Sequence, residues 1–236
     1  MTTEYGLLNE SNREQFVRNA LLNISPGKRI LDAGAGTKPY KKYCQHLEYV
    51  SQDSSQYDGK GNGEGLQTGN FDYGKIDLVC DIDDIDIASK SFDAILCTEV
   101  LEHVPYPDMA IGELARLLKT GGTLILTAPF CSLTHFAPQH YSTGFSKYWY
   151  EHFLSNYDLE ILSMVPNGSY FEYLSQELNR LPYVINDYCH VGLDENSLQA
   201  LNGIRELLSR VGNYDTSVIN SSELLCFGYH VIARKR

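Results

Sequence analysis

The chain has 236 residues, enough for one large α/β domain or for one domain with an elaboration. Hydrophobic residues make up 43 %, which sustains a sizeable core and excludes global disorder. The formal net charge of −11 comes with no basic cluster larger than Lys41-Lys42 or Arg234-Lys235-Arg236, so no nucleic-acid partner is expected.

From the N-terminus, Ser11-Asn12-Arg13-Glu14 matches a capping box, and Val17, Ala20, Leu21 and Ile24 follow at helical spacing. Pro26-Gly27 ends that helix, and Lys28 to Asp32 is the first predicted strand. Pro39 suits the first turn of a second helix, because its missing N–H would be unpaired there anyway. Tyr49 to Asp53 reads as a second strand, residues 54–75 as a long glycine-rich loop, and Asp77 to Ile82 as a third strand. Phe92 to Cys97 is a fourth strand, Asp108 to Leu118 an amphipathic helix stopped by Gly121-Gly122, and Thr123 to Thr127 a fifth strand.

After Pro129 the chain becomes crowded with aromatic and imidazole groups through Phe153. Leu159 to Val165 reads as a sixth strand, and Leu224 to Ala233 as a seventh. Between them run two helical stripes, Tyr170 to Leu181 and Leu198 to Val211. Strands alternating with helices, and short apolar runs without alternation, imply a parallel sheet covered on both faces. The six cysteines stand singly and form no Cys-x-x-Cys pair, so neither a metal site nor a disulfide framework is expected. Residues 1–15 lack an apolar leader and no run approaches ~20 apolar residues, so a cytoplasmic location without membrane association is expected.

The chemistry concentrates in Ile30 to Tyr40. An apolar run ends at Asp32, and Ala33-Gly34-Ala35-Gly36 then forms a tight bend that lets the backbone approach a ligand. Acids end three strands. Asp53 lies at the spacing from the bend at which a carboxylate accepts from ribose hydroxyls. Asp81 is placed to accept from an exocyclic amine with Ile82 against a base, and Thr98-Glu99 to meet an amino group. Single acids at strand ends are often only caps, but three in register with the bend point to a nucleotide-type cofactor. A dinucleotide site wants a third glycine where Pro39 stands, and the Gly-Lys-Ser/Thr of a phosphate-binding loop is absent.

From Ile30 to Phe130 the chain resembles the class I S-adenosylmethionine-dependent methyltransferases, in the small-molecule branch (methyltransferase type 11-like). The matching pieces are Leu31 to Gly36, Asp53, Asp81-Ile82, Phe92 to Ile95, Glu99-Val100-Leu101-Glu102-His103-Val104, and Leu114 through Leu126. The resemblance implies a Rossmann-like doubly wound sheet of seven strands, the last antiparallel, with a helical insertion before that last strand. It implies one domain over 1–236, with a cofactor-binding core at 12–130, a lid-like aromatic segment at 131–158 and a substrate-side insertion at 168–212. It implies S-adenosyl-L-methionine as cofactor. Gly34 and Gly36 would pass under its methionine part, Asp32 and Ala33 would belong to the same cofactor site, and Asp53 would hold the ribose. Asp81 and Ile82 would hold the adenine, and Thr98 and Glu99 would border the amino group. Lys38 replaces a glycine common in the family and becomes a candidate partner for the cofactor carboxylate.

Methyl transfer to oxygen benefits from a base, and His135 and His140 are the candidates, with Tyr141 as an orienting group. His103, inside the Leu-Glu-His-Val segment, reads as structural, and Tyr148-Trp149-Tyr150 as the anchor of the lid. The expected acceptor is a small polyhydroxylated or carbohydrate-like molecule. A homodimer is compatible with the tyrosine-rich insertion, and the oligomeric state is left open. A non-catalytic S-adenosylmethionine-binding scaffold is the alternative, and a nicotinamide-dependent oxidoreductase, disfavoured by Pro39, is the third reading.

Overall fold

Seven apolar runs assemble into one sheet of order β3-β2-β1-β4-β5-β7-β6. The strands are β1 (Arg29–Ala33), β2 (Glu48–Asp53), β3 (Leu78–Val79), β4 (Phe92–Thr98), β5 (Leu118–Pro129), β6 (Leu159–Asn167) and β7 (Gly228–Lys235). The computed structural model describes residues 5–215 and 220–236. β1 runs parallel to β2 and β4, β4 parallel to β5, and β7 antiparallel to β5. This is the doubly wound sheet with a reversed last strand that the family resemblance implied. Ile30, Leu31, Ile95, Leu96, Leu124, Ile125, Leu126 and Val231 are fully buried, as expected of strands covered on both faces.

The helices are α1 (Asn9–Leu22), α2 (Pro107–Leu117), α3 (Lys147–Asn156), α4 (Tyr170–Cys189) and α5 (Glu195–Gly212). Helix α1 buries Val17, Ala20 and Leu21. It starts before the proposed capping box, so Ser11 lies inside it and its hydroxyl donates to the Leu8 carbonyl at 3.1 Å. The helix expected after Pro39 does not form. The β1–β2 connection holds a single 3-10 turn, Lys41–Tyr43. Lys38 sits at φ +59°, and only eight residues, Tyr40 to Leu47, separate Pro39 from β2. Nor do the β2–β3 and β3–β4 connections carry an α-helix. Helix α2 instead passes directly into β5.

Two compact units divide the chain: Arg13–Val165 with Gly228–Arg236, and the described parts of residues 1–12 and Pro166–Phe227. The first holds nearly all of the sheet. Within the second, α4 packs against α5, the Ser175 hydroxyl donates to the Tyr5 carbonyl at 2.9 Å, and the Asn167 amide donates to the Asn9 carbonyl at 3.0 Å. Ser169 caps α4 and Asp194 caps α5, each accepting from a backbone N–H three residues on.

Candidate active site

The carboxyl ends of β1, β2 and β4 open into a cleft of about 530 Å³. Open α/β sheets bind ligands at this end of the strands, where the chain crosses to either side. Asp32, Gly34, Gly36, Asp53, Asp81, Ile82, Thr98 and Glu99 all line it. Of the other residues expected at the cofactor, Ala33 is fully buried in β1. Lys38 turns its ammonium to the Tyr73 carbonyl, tying the glycine-rich loop to the bend.

The bend is held by the strand beside it. The N–H of Gly34 donates to Gln52 Oε1 at 3.1 Å, and the N–H of Gly36 donates to Asp53 Oδ2 at 2.9 Å. Gln52 in turn donates to the Cys80 carbonyl at 2.6 Å. Gly34 has φ +68°, and a Cβ there would stand 2.4 Å from Val100 Cγ2, so both conformation and space demand glycine. Asp53 spends its other oxygen on the Ser55 N–H at 2.8 Å. Each carboxylate oxygen keeps a further lone pair for a ligand hydroxyl.

Asp32 is buried at the floor and accepts from the Tyr49 hydroxyl at 2.5 Å. Burial pushes its carboxyl up to about 6, against the pull of the Tyr49 hydrogen bond. Glu99, at φ +52°, pairs with Arg13 of α1 at 3.0 Å and accepts from the Thr127 hydroxyl at 2.9 Å. Arg13 carried no signal in the sequence. Gln52 had a faint one, a polar residue inside a buried strand directly before the acid.

Two loops build the outer wall. The glycine-rich loop supplies Tyr57, Phe71 and Tyr73, and the aromatic segment supplies Phe136, Gln139 and Tyr141. Tyr57 stacks on Phe136 at 4.2 Å between ring centroids, and Phe136 stacks on His103 at 5.1 Å. The loops are joined along their backbones: Leu66 bridges to His135, its N–H donates to the Thr134 carbonyl at 2.9 Å, and the N–H of Phe136 donates to the Leu66 carbonyl at 3.0 Å. Gly65 permits this approach, since a Cβ there would lie 2.5 Å from the Thr134 oxygen.

Of the three histidines gathered at one end, His103 lines the cleft, while His135 and His140, the two candidate bases, stand behind it. The His140 Nε2 lies 3.2 Å from the Ser132 hydroxyl. Tyr150 is fully buried and Trp149 packs on Phe145 and Phe153, which fits an anchoring role for α3, while Tyr148 is exposed.

Residues 31–126 match the family model described as "Methyltransferase domain" (Methyltransf_11). The chain is similar to a ubiquinone biosynthesis O-methyltransferase of Coxiella burnetii, 33 % identical over 108 residues, 43 % of each chain. A protein of the same description from Xanthomonas oryzae pv. oryzae is 60 % identical over 37 residues, 16 % of each. The aligned stretches therefore span less than half the length of these curated relatives. Among solved structures, a SAM-dependent methyltransferase from Archaeoglobus fulgidus shares the fold with TM-score 0.55 at 16 % identity, covering 99 % of this chain and all of that one. Phosphoethanolamine N-methyltransferase 2 of Haemonchus contortus, solved with S-adenosyl-L-methionine, gives TM-score 0.54 at 15 % identity over 95 % of this chain and 52 % of that one. Residues 31–126 thus match a methyltransferase domain, within a fold shared with solved methyltransferases.

Proposed function

We propose that the chain transfers a methyl group from S-adenosyl-L-methionine to a hydroxyl oxygen of a small, polyhydroxylated acceptor. One observation carries the cofactor side of this reading. Asp32, Asp53, Asp81, Asp83 and Glu99 line the cleft, and among the described residues no lysine or arginine does. A wall of that sign repels a pyrophosphate and attracts a ligand that carries a sulfonium and an ammonium. Its volume of about 530 Å³ also suits a nucleoside-sized ligand.

When bound, S-adenosylmethionine supplies a methyl group already activated by its positive sulfur. The chain then has to bind, align and keep water out. Asp53 holds the ribose hydroxyls with the lone pairs that Gly36 and Ser55 leave free. Asp81 takes the adenine amine and Ile82 lies against the base. The bend at Gly34 and Gly36 lets the methionine part run close to the backbone, and Thr98 and Glu99 border its amino group. Tyr57, Phe71 and Phe136 exclude water. The histidine cluster serves the acceptor: His103 lines the cleft, and His135 and His140, packed against His103, are the candidate bases. The relatives named as O-methyltransferases support oxygen as the accepting atom.

Calorimetric titration with S-adenosylhomocysteine tests the cofactor reading. Micromolar binding is expected, and neither heat nor thermal shift at millimolar ligand would overturn it. Transfer of labelled methyl across a panel of phenols, sugars and amines tests the acceptor. Labelling confined to amines would sink the oxygen assignment.

A further inference from the structure

We propose that Glu102, His103 and His135 form a binding site for one divalent transition-metal ion. No cysteine pair or spaced histidine motif marks these positions along the chain. The argument comes from where the hydrogens must be. The His103 Nδ1 contacts the Gln139 carbonyl, and the His135 Nδ1 contacts the Leu133 carbonyl at 2.9 Å. A carbonyl only accepts, so both Nδ1 atoms carry the proton in the neutral rings. Both Nε2 atoms are left as bare lone pairs.

Those lone pairs converge on a carboxylate. His103 Nε2 lies 3.8 Å from Glu102 Oε1, and His135 Nε2 lies 3.9 Å from the same oxygen. The three ligand atoms all lie within 4.8 Å of one another. At these separations no hydrogen bond joins them. Glu102 is 1 % exposed, and its other oxygen, Oε2, is buried without a hydrogen-bond partner. A buried carboxyl facing two bare imidazole nitrogens, with an orphaned oxygen, is a costly arrangement by itself. A cation among the three groups would take both nitrogen lone pairs and the carboxylate charge at once.

The donor set also selects the ion. Two imidazoles and a carboxylate suit zinc, cobalt, manganese or ferrous iron better than magnesium or calcium, which prefer all-oxygen sites. Metal–ligand bonds of about 2.1 Å put tetrahedral ligand atoms about 3.4 Å apart. The two nitrogens, at 3.8 and 3.9 Å from Glu102 Oε1, close on it by about half an ångström, and the set as a whole, within 4.8 Å, by at most about 1.4 Å. The carbonyls of Gln139 and Leu133 act as the outer partners that orient metal-bound histidines. His103 lines the cleft, so an ion held here meets its edge. If the methyl-transfer reading holds, that is where an acceptor hydroxyl would find a Lewis acid. Binding of the ion does not depend on that reading.

Chelator-stripped protein titrated with cobalt(II) chloride tests the site, read by visible absorption and by metal content after dialysis. One tightly held equivalent is expected. His135→Ala, at a partly exposed position where folding is safe, is expected to weaken it at least about tenfold. Glu102→Gln should do the same, and His152→Ala, an exposed histidine elsewhere, should bind as the parent does. No stoichiometric uptake, or uptake equal in parent and His135→Ala, overturns the proposal. S-adenosylhomocysteine titrated into the same samples separates the two readings: metal uptake without nucleoside binding would sink the proposed function alone, and the reverse would sink the metal site alone.

Discussion

The backbone N–H of Gly36 donates to Asp53 Oδ2 across 2.9 Å, so the acid that ends β2 braces the bend that follows β1. One side chain thereby shapes the glycine turn and presents lone pairs to the cleft. Asp53→Ala is expected to lower S-adenosylhomocysteine affinity by about tenfold to a hundredfold, the worth of a hydrogen bond to a charged group. Asp53→Asn should fall between that variant and the parent. Isothermal titration would show an unchanged affinity if Asp53 served only the loop.

Gly34 has no room for a side chain. Its Cβ would meet Val100 Cγ2 at 2.4 Å, in a backbone conformation with φ +68°. Gly34→Ala is expected to cost about 1–3 kcal/mol of stability and most of the nucleoside affinity. Adding Val100→Ala removes the clash but not the backbone strain, so it should restore only part of the melting temperature. Full recovery would show that φ there is unimportant.

Asp32 makes stability depend on pH. Its folded carboxyl titrates at about 6, above its ordinary value of 3.8, chiefly because of burial. The folded state therefore holds a proton that the unfolded chain has released, and stability falls as pH rises between about 4 and 6. Below that window the penalty is absent; above it the penalty is complete, on the order of a few kcal/mol. Asp32→Asn, which keeps an acceptor for Tyr49, should flatten urea-denaturation stability across that window. A slope identical to the parent's would place the titration elsewhere.

How far this was readable beforehand differs by element. The strands were legible because β1, β4 and β5 are continuous apolar runs, and only burial on both faces favours such runs. β3 came out as Leu78–Val79 alone, since Asp77 turns aside to accept from the Ser51 N–H and hydroxyl. The helix after Pro39 did not form because only Tyr40 to Leu47 remain before β2, and they close as one 3-10 turn at Lys41–Tyr43. The strand-end acids could be named because their spacing is local to each crossover. Arg13 could not, since its partner Glu99 lies far along the chain. The Glu102–His103–His135 group escaped for the same reason: His135 reaches the other two only through folding of the aromatic segment.

The seam between the two loops can be broken at one atom. Gly65→Val would drive a side chain into the Thr134 carbonyl, 2.5 Å from the Cβ position. Hydrogen exchange should then speed up together at Leu66 and Phe136, whose amides make the paired bonds, and leave the β1 and β4 amides unchanged. Faster exchange at only one of the two amides would show that the loops open independently.

Because Leu66 and His135 are rungs of one short ladder, the roof over the nucleoside has no flap that swings by itself. Tyr57, Phe71 and Phe136 are tied through that pairing and their ring contacts into one wall. Whatever displaces one loop displaces the other with it, so the wall answers to ligand as a single body.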